Sequence, residues 1–134
     1  MPILNINDFD FFSRSPEQTK RIGMRLGALL KQDDVICMSG DLGSGKTTLA
    51  QGIAKGWGAI ENAISPTFVL ANVYHRSDGS KLNHLDAYRL QDAQEAVDLD
   101  LDWMMDEGAL LVEWAERIRQ VLPGDCLWIA LKYM

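Results

Sequence analysis

Val35-Ile36-Cys37-Met38-Ser39-Gly40-Asp41-Leu42-Gly43-Ser44-Gly45-Lys46-Thr47-Thr48-Leu49 is the stretch that decides the fold. Its first four residues form a short apolar run, which reads as a buried strand. Gly40, Gly45, Lys46 and Thr47 then match the pattern G-x-x-x-x-G-K-[ST]. Beyond the loop, Leu49, Ile53 and Trp57 mark one face of a helix, expected to stop at the Gly56/Gly58 pair. Strand, glycine loop, helix is the order a phosphate-binding loop requires. Glycines let backbone N–H groups turn inward around phosphate oxygens, where a Cβ would obstruct them. With the helix N-terminus they make a concave anion site. The expected nucleotide contacts are Leu42, Gly43, Ser44, Gly45, Lys46, Thr47 and Thr48, with Lys46 reaching the β- and γ-phosphates and the Thr47 hydroxyl ligating Mg²⁺. At ordinary residue usage, a chain of this length matches the pattern by chance about once in two hundred. The flanking strand and helix make an accidental match rarer still.

Working outward, residues 2–7 suit a short strand, and Ser15-Pro16-Glu17-Gln18 reads as a helix start. Ser15 is placed as the N-cap, Pro16 opens the first turn, and Gln18 can complete a capping box. Ile22, Leu26, Leu29 and Leu30 follow at helical spacing as one apolar face. On the other side, Thr67 to Tyr74 is rich in β-formers, Ser77-Asp78-Gly79-Ser80 is a turn, and Lys81 to Tyr88 returns as a strand, so a hairpin is expected. Residues 91–106 hold short helical pieces. Ala109-Leu110-Leu111-Val112 is a second continuous apolar run, ending at Glu113. A brief helix is expected at 114–121, cut by Pro123-Gly124, and Cys126 to Leu131 is a last strand. There are no repeats and no low-complexity linker. The expected fold is α/β, a three-layer P-loop NTPase-like domain with a mixed sheet, parallel at its centre, in one domain over residues 1–134.

Composition narrows the function classes. An apolar fraction of 47% is ordinary for a globular chain, and no stretch approaches the ~20 apolar residues that span a bilayer. Met1 to Phe12 carries two aspartates and no basic residue, unlike a signal peptide, so a cytoplasmic protein without membrane contact is the expectation. The net charge of -6 argues against a surface built to grip a polyphosphate backbone, so any RNA is expected to be held by a partner. Cys37 and Cys126 each sit in an apolar run without CxxC or His spacing, as reduced, buried thiols do. His75 and His84, without a cysteine cluster, do not suggest structural zinc.

Three further positions are candidates for chemistry. Glu113 ends a central strand, where a carboxylate can hold Mg²⁺ or polarise an attacking water; a strand-terminal Glu capping a turn is the plain structural alternative. Asp86 lies in His84-Leu85-Asp86-Ala87-Tyr88-Arg89, where alternation puts His84, Asp86 and Tyr88 on one face. That face either lines the site or is a solvated side of the hairpin, and the pattern does not choose. Thr67, after Pro66, is equally open between a γ-phosphate sensor and an ordinary loop residue. Trp114 can stack or anchor an interface, although packing is the commoner role; Trp57 and Trp103 read as core.

The chain has no [NT]KxD motif for guanine and no DxxG switch, which excludes a conventional GTPase. Its basic residues are scattered, unlike the Arg-bearing lid of a small-molecule kinase. An ATPase whose hydrolysis drives or times another event remains. Gly40 to Leu49, then Ser65-Pro66-Thr67-Phe68, then His84-Leu85-Asp86-Ala87-Tyr88-Arg89-Leu90, then Leu111-Val112-Glu113-Trp114-Ala115-Glu116-Arg117 resembles the TsaE (YjeE) family, the bacterial ATPases of tRNA threonylcarbamoyladenosine biosynthesis. The four motifs fall in the family's order within residues 15–133.

The resemblance implies ATP and Mg²⁺ as ligands, weak hydrolysis by the protein alone, and work with TsaB and TsaD. Those partners modify the adenosine beside the anticodon in tRNAs reading ANN codons; tRNA would meet this chain only through them. Carried onto this sequence, Lys46, Asp86 and Glu113 become the catalytic set, Thr47 and Glu113 the Mg²⁺ ligands, and Ser15 and Pro16 the adenine side. Trp114 matches the family's tryptophan and Thr67 its switch-like segment. The family pattern continues past the position of Met134, so a final strand and a base contact are expected to be missing from this sequence. Two other readings stay open: a nucleotide-gated binding module with incidental hydrolysis, and a small-molecule kinase.

Overall fold

Helix α1 (Pro16–Leu29) starts where the cap signal places it. Ser15 Oγ accepts from the Gln18 amide at 3.1 Å, and Pro16 fills the first turn, where its missing N–H costs nothing. Gln18 Oε1 accepts from the Arg14 amide at 2.6 Å, one residue outside the N-cap, so the reciprocal half of the capping box is displaced by one position. The computed structural model describes residues 12–40, 45–61, 71–88, 90 and 108–132. The strand expected at 2–7 and the helical pieces expected at 91–106, with Trp103, lie outside the described residues.

Strand β1 (Val35–Gly40) leads to helix α2 (Lys46–Trp57). The two helices meet at glycines. A Cβ on Gly23 would lie 2.5 Å from the Leu49 carbonyl oxygen and one on Gly27 2.0 Å from that of Ile53. Conversely, a Cβ on Gly52 or Gly56 would lie 2.2 Å or 2.0 Å from the carbonyl oxygens of Lys20 and Met24. Each helix thus carries a glycine pair four residues apart, and backbone rests directly on backbone. One sequence expectation changes accordingly. Leu29, expected on the apolar face of α1, is 75% exposed, because Gly23 and Gly27 take the contact instead. α2 stops at the Gly56/Gly58 pair as expected, with Gly58 as the cap at φ 105°, its amide reaching the Ala54 and Lys55 carbonyls.

The sheet is completed by β2 (Ala71–His75), β3 (Lys81–Asp86), β4 (Ala109–Glu113) and β5 (Leu127–Leu131), in the order β2-β3-β4-β1-β5. β2 pairs antiparallel with β3; every other pairing is parallel. The mixed, centrally parallel sheet is therefore as expected. Its turn is held by Asp78, which accepts from Arg76 Nε at 3.1 Å and the Ser80 amide at 2.9 Å, contacts that keep its carboxyl well below the usual range. β3 ends at Asp86, two residues short of the expected Tyr88, because the Ala87 amide bonds the Glu113 carbonyl and the Asp86 carboxylate then turns back to the Tyr88 amide. β2 is described from Ala71, and Thr67 lies outside the described residues.

One sheet face packs Ile36, Met38, Leu82 and Leu111 under α1 and α2. The other packs Val35, Cys37, Leu85, Leu110 and Val112 against a 3-10 segment (Ala115–Val121), where the sequence suggests an ordinary helix. Cys37 and Cys126 are free thiols; burial first, then the neighbouring Cys126, pushes the Cys37 thiol far above its usual range. Among the described residues, no helix is long and apolar enough to cross a membrane.

Candidate functional site

The chain leaves β1 at Gly40 with φ 142° and enters α2 through Gly45 with φ 101°, backbone that L side chains rarely adopt. Space is not what requires glycine at 45. A Cβ there would meet only Leu131 Cδ2 at 3.9 Å and Thr19 Cγ2 at 4.0 Å, ordinary contacts. Those neighbours bring the first turn of α1 and the end of β5 to the loop's exit. Ser15 and Pro16 therefore stand beside the loop, with Thr19 hydrogen-bonded to Ser13 at 2.6 Å on the same turn.

Lys46, the first residue of α2, is buried. Its Nζ donates to the Gly40 carbonyl and lies 4.0 Å from the centroid of the Trp114 ring. The lysine thus closes from the last motif glycine back to the first. Thr47 is exposed and Thr48 half-buried at the same helix start. Leu42, Gly43 and Ser44 lie outside the described residues.

Glu113 sits at the carboxyl end of β4, in register with Met38 of β1 on one side and Asp86 of β3 on the other. Alternation puts it on the α2 side of the sheet, in line with Leu111 and Ala109. It is 3% exposed, and its Oε2 lies 2.6 Å from His84 Nε2. His84 is itself 1% exposed, and its Nδ1 lies 2.8 Å from the Tyr74 hydroxyl. The solvated-hairpin alternative thus does not hold for His84, which enters the core. Asp86 is half-buried beside Glu113, with Oδ1 accepting from the Tyr88 amide at 2.9 Å.

Tyr88 is not a third member of that face, because β3 has already ended. It is 41% exposed and packs tilted against Trp114, ring centroids 4.9 Å apart, with the Arg117 guanidinium 5.0 Å from its ring. Trp114 holds a left-handed backbone at φ 58°, uncommon for a residue with a Cβ. That turn directly after Glu113 sets the indole between Lys46 and Tyr88.

The structure therefore gathers Gly40, Lys46, Glu113 and Trp114 at one end of the parallel strands, with Asp86 one strand over and the Ser15 turn beside Gly45. Sequence reasoning did not pair His84 with Glu113, and it missed Tyr74. A faint signal existed: in a hairpin about residues 77–80, Tyr74 falls diagonally across from His84.

A strand ending in a glycine loop, a helix opening on a buried lysine, and a carboxylate ending the adjacent parallel strand define a nucleotide-binding protein of the P-loop class. Residues 13–134 match the family described as "Threonylcarbamoyl adenosine biosynthesis protein TsaE", and the chain belongs to that family. The tRNA threonylcarbamoyladenosine biosynthesis protein TsaE of Bacillus subtilis is 41% identical over 119 residues, covering 88% of this chain and 73% of that protein. The protein of the same name from Streptomyces coelicolor is 44% identical over 110 residues, covering 81% and 74%. The crystal structure of Bacillus subtilis YdiB superposes with a TM-score of 0.73 at 36% identity, covering 91% of this chain and 74% of that one.

Proposed function

We propose that this protein is an ATP-binding, weakly hydrolysing accessory factor of tRNA threonylcarbamoyladenosine biosynthesis, needed for the modification on tRNAs reading ANN codons and acting with TsaB and TsaD in the cytoplasm. The family supports the biosynthetic role. The observation that carries the ATPase reading is the convergence of Lys46 and Glu113, from α2 and β4, on the same end and face of the sheet.

The side chains fit ATP with Mg²⁺. Lys46 would exchange the Gly40 carbonyl for phosphate oxygens, a stronger charge-assisted partner. Thr47 hydroxyl and Glu113 carboxylate are hard oxygen donors, the kind Mg²⁺ takes in ones and twos alongside phosphates and water. When bound, the ion would neutralise charge developing on the transferred phosphoryl group. Asp86, next to Glu113 across the β3–β4 pair, completes the acidic end of the sheet. Ser15 and Pro16, beside the loop's exit, form the adenine side. An acidic chain of net charge -6 suits a factor that leaves tRNA to its partners.

The test is ATP hydrolysis by the purified protein, alone and with TsaB and TsaD. Slow basal turnover that rises on adding the partners is the expected result. Binding without any partner-dependent turnover would sink the ATPase reading in favour of a nucleotide-gated module, as would full modification activity by Glu113→Gln with ATP binding intact. Phosphate appearing on a metabolite, with none released free, would instead identify a kinase.

A further inference from the structure

A glutamate at a strand end has three side-chain torsions, and catalysis by such a carboxylate depends on which way it points. In this fold Glu113 is held by a chain of buried groups reaching across two neighbouring strands. Its Oε2 is 2.6 Å from His84 Nε2 on β3, and His84 Nδ1 is 2.8 Å from the Tyr74 hydroxyl on β2. All three side chains are within the core, at 3%, 1% and 3% exposure for Glu113, His84 and Tyr74. Asn72 is the direct cross-strand partner of His84, which leaves Tyr74 on the diagonal, within reach of the imidazole.

We propose that His84 and Tyr74 are positioning residues that set the orientation of the Glu113 carboxylate at the phosphate site. The inference rests on the ATPase reading above and adds two residues to it. A neutral imidazole supplies one donor and one acceptor. The Tyr74 hydroxyl donates to Nδ1, which places the imidazole proton on Nε2, and Nε2–H donates to Glu113. Every polar atom of the ring is then used once. The ring cannot rotate without breaking both bonds, and it fixes the Oε2 side of the Glu113 carboxylate. Partners of this kind, one bond behind a ligand, set ligand orientation in metal sites generally. The outer antiparallel strand, which holds none of the residues proposed to contact phosphate, thereby becomes part of the site.

A purely structural role is the competing explanation, since a buried carboxylate needs a partner whatever its function. The two separate in kinetics and spectroscopy. With the full chain, His84→Leu should lower kcat about 10–100-fold while the KM for ATP stays within about twofold, because Lys46 and the loop carry binding. His84→Gln, whose amide can donate from near the Nε2 position, should recover most of the loss. Tyr74→Phe should cost about fivefold, the rate equivalent of one neutral hydrogen bond. Adding His84→Leu to Glu113→Gln should cause no further loss, because His84 acts only through that carboxylate.

Independently of turnover, the imidazole ¹⁵N signals should report a single Nε2–H tautomer in the wild-type protein and a mixture in Tyr74→Phe. Unchanged kcat in His84→Leu, losses that multiply in the double variant, or a tautomer indifferent to Tyr74→Phe would each overturn the proposal. If His84→Leu fails to fold, Tyr74→Phe decides by rate and tautomer together. A wild-type protein that hydrolyses no ATP would refute the ATPase reading, whereas the tautomer measurement would still judge the network.

Discussion

The two faces of the sheet are made by the same strands and lead different lives. Beneath α1 and α2, apolar Ile36, Met38, Leu82 and Leu111 share the interior with His84 and Glu113, and Lys46 is buried at the start of the covering helix. Beneath the 3-10 segment the core is Val35, Cys37, Leu85, Leu110, Val112 and Ile118, without a charged member among the described residues. Burying charged groups costs free energy that this second face avoids. They are concentrated at the strand ends beside the N-terminus of α2, where under the proposed function the same groups would meet phosphate. One face supplies cohesion and the other spends some of it on chemistry.

Lys46→Ala is the sharpest way to test that division. ATP affinity should fall on the order of 100-fold or more, read by calorimetric titration, with the thermal midpoint nearly unchanged. A large loss of stability would mean that the lysine belongs to the cohesive half. Leu110→Ala is the mirror experiment: with Leu110 fully buried on the apolar face, denaturant unfolding should show a loss of about 2–5 kcal/mol. Its folded fraction should bind ATP normally; altered affinity would break the comparison.

Gly27→Ala probes the layer above the helical face. A methyl group placed 2.0 Å from the Ile53 carbonyl oxygen must push α1 off α2, for a loss of about 1–3 kcal/mol or more. Gly124→Ala, with nothing within 4 Å of the new methyl, should stay within about 0.5 kcal/mol. Equal effects from the two would remove the close contact from the account.

The smallest effect belongs to an exposed hydrogen-bonded contact outside both faces. Glu61 accepts from the His75 backbone amide at 2.8 Å and pairs with its ring at 2.6 Å, and these contacts hold its carboxyl below the usual range, the backbone bond first. Its folded pKa is depressed, so its contribution is present above the unfolded value and lost as pH falls through the folded one. Glu61→Gln should slightly flatten the acid limb of stability against pH and leave the alkaline limb alone. A change on the alkaline side would contradict the assignment.

The loop and its two flanking elements were legible because local signals agree there: an apolar run, a motif with required glycines, then helical periodicity. Glu113 was legible as the end of a second apolar run. His84 was only half legible. Alternation placed it on a face with Asp86, but which face is covered depends on where α2 docks, and that is a tertiary fact. Tyr88 went astray because alternation was extended past Asp86, where the backbone turns. The glycine crossing was visible as paired four-residue spacings, Gly23 with Gly27 and Gly52 with Gly56. In a reading that looks for apolar side chains, residues without any are easily passed over.

That crossing has a consequence for how the two ends of the proposed site are spaced. Packed helices usually creep past one another by small rotamer adjustments, since side chains act as compliant spacers. Four glycines remove the spacers, so α1 and α2 meet at one backbone-to-backbone joint. The turn at Ser15 and the lysine at position 46 ride on opposite sides of that joint like the jaws of a locked caliper. Under the proposed function, a nucleotide reaching from one to the other would be gauged against a length set by backbone.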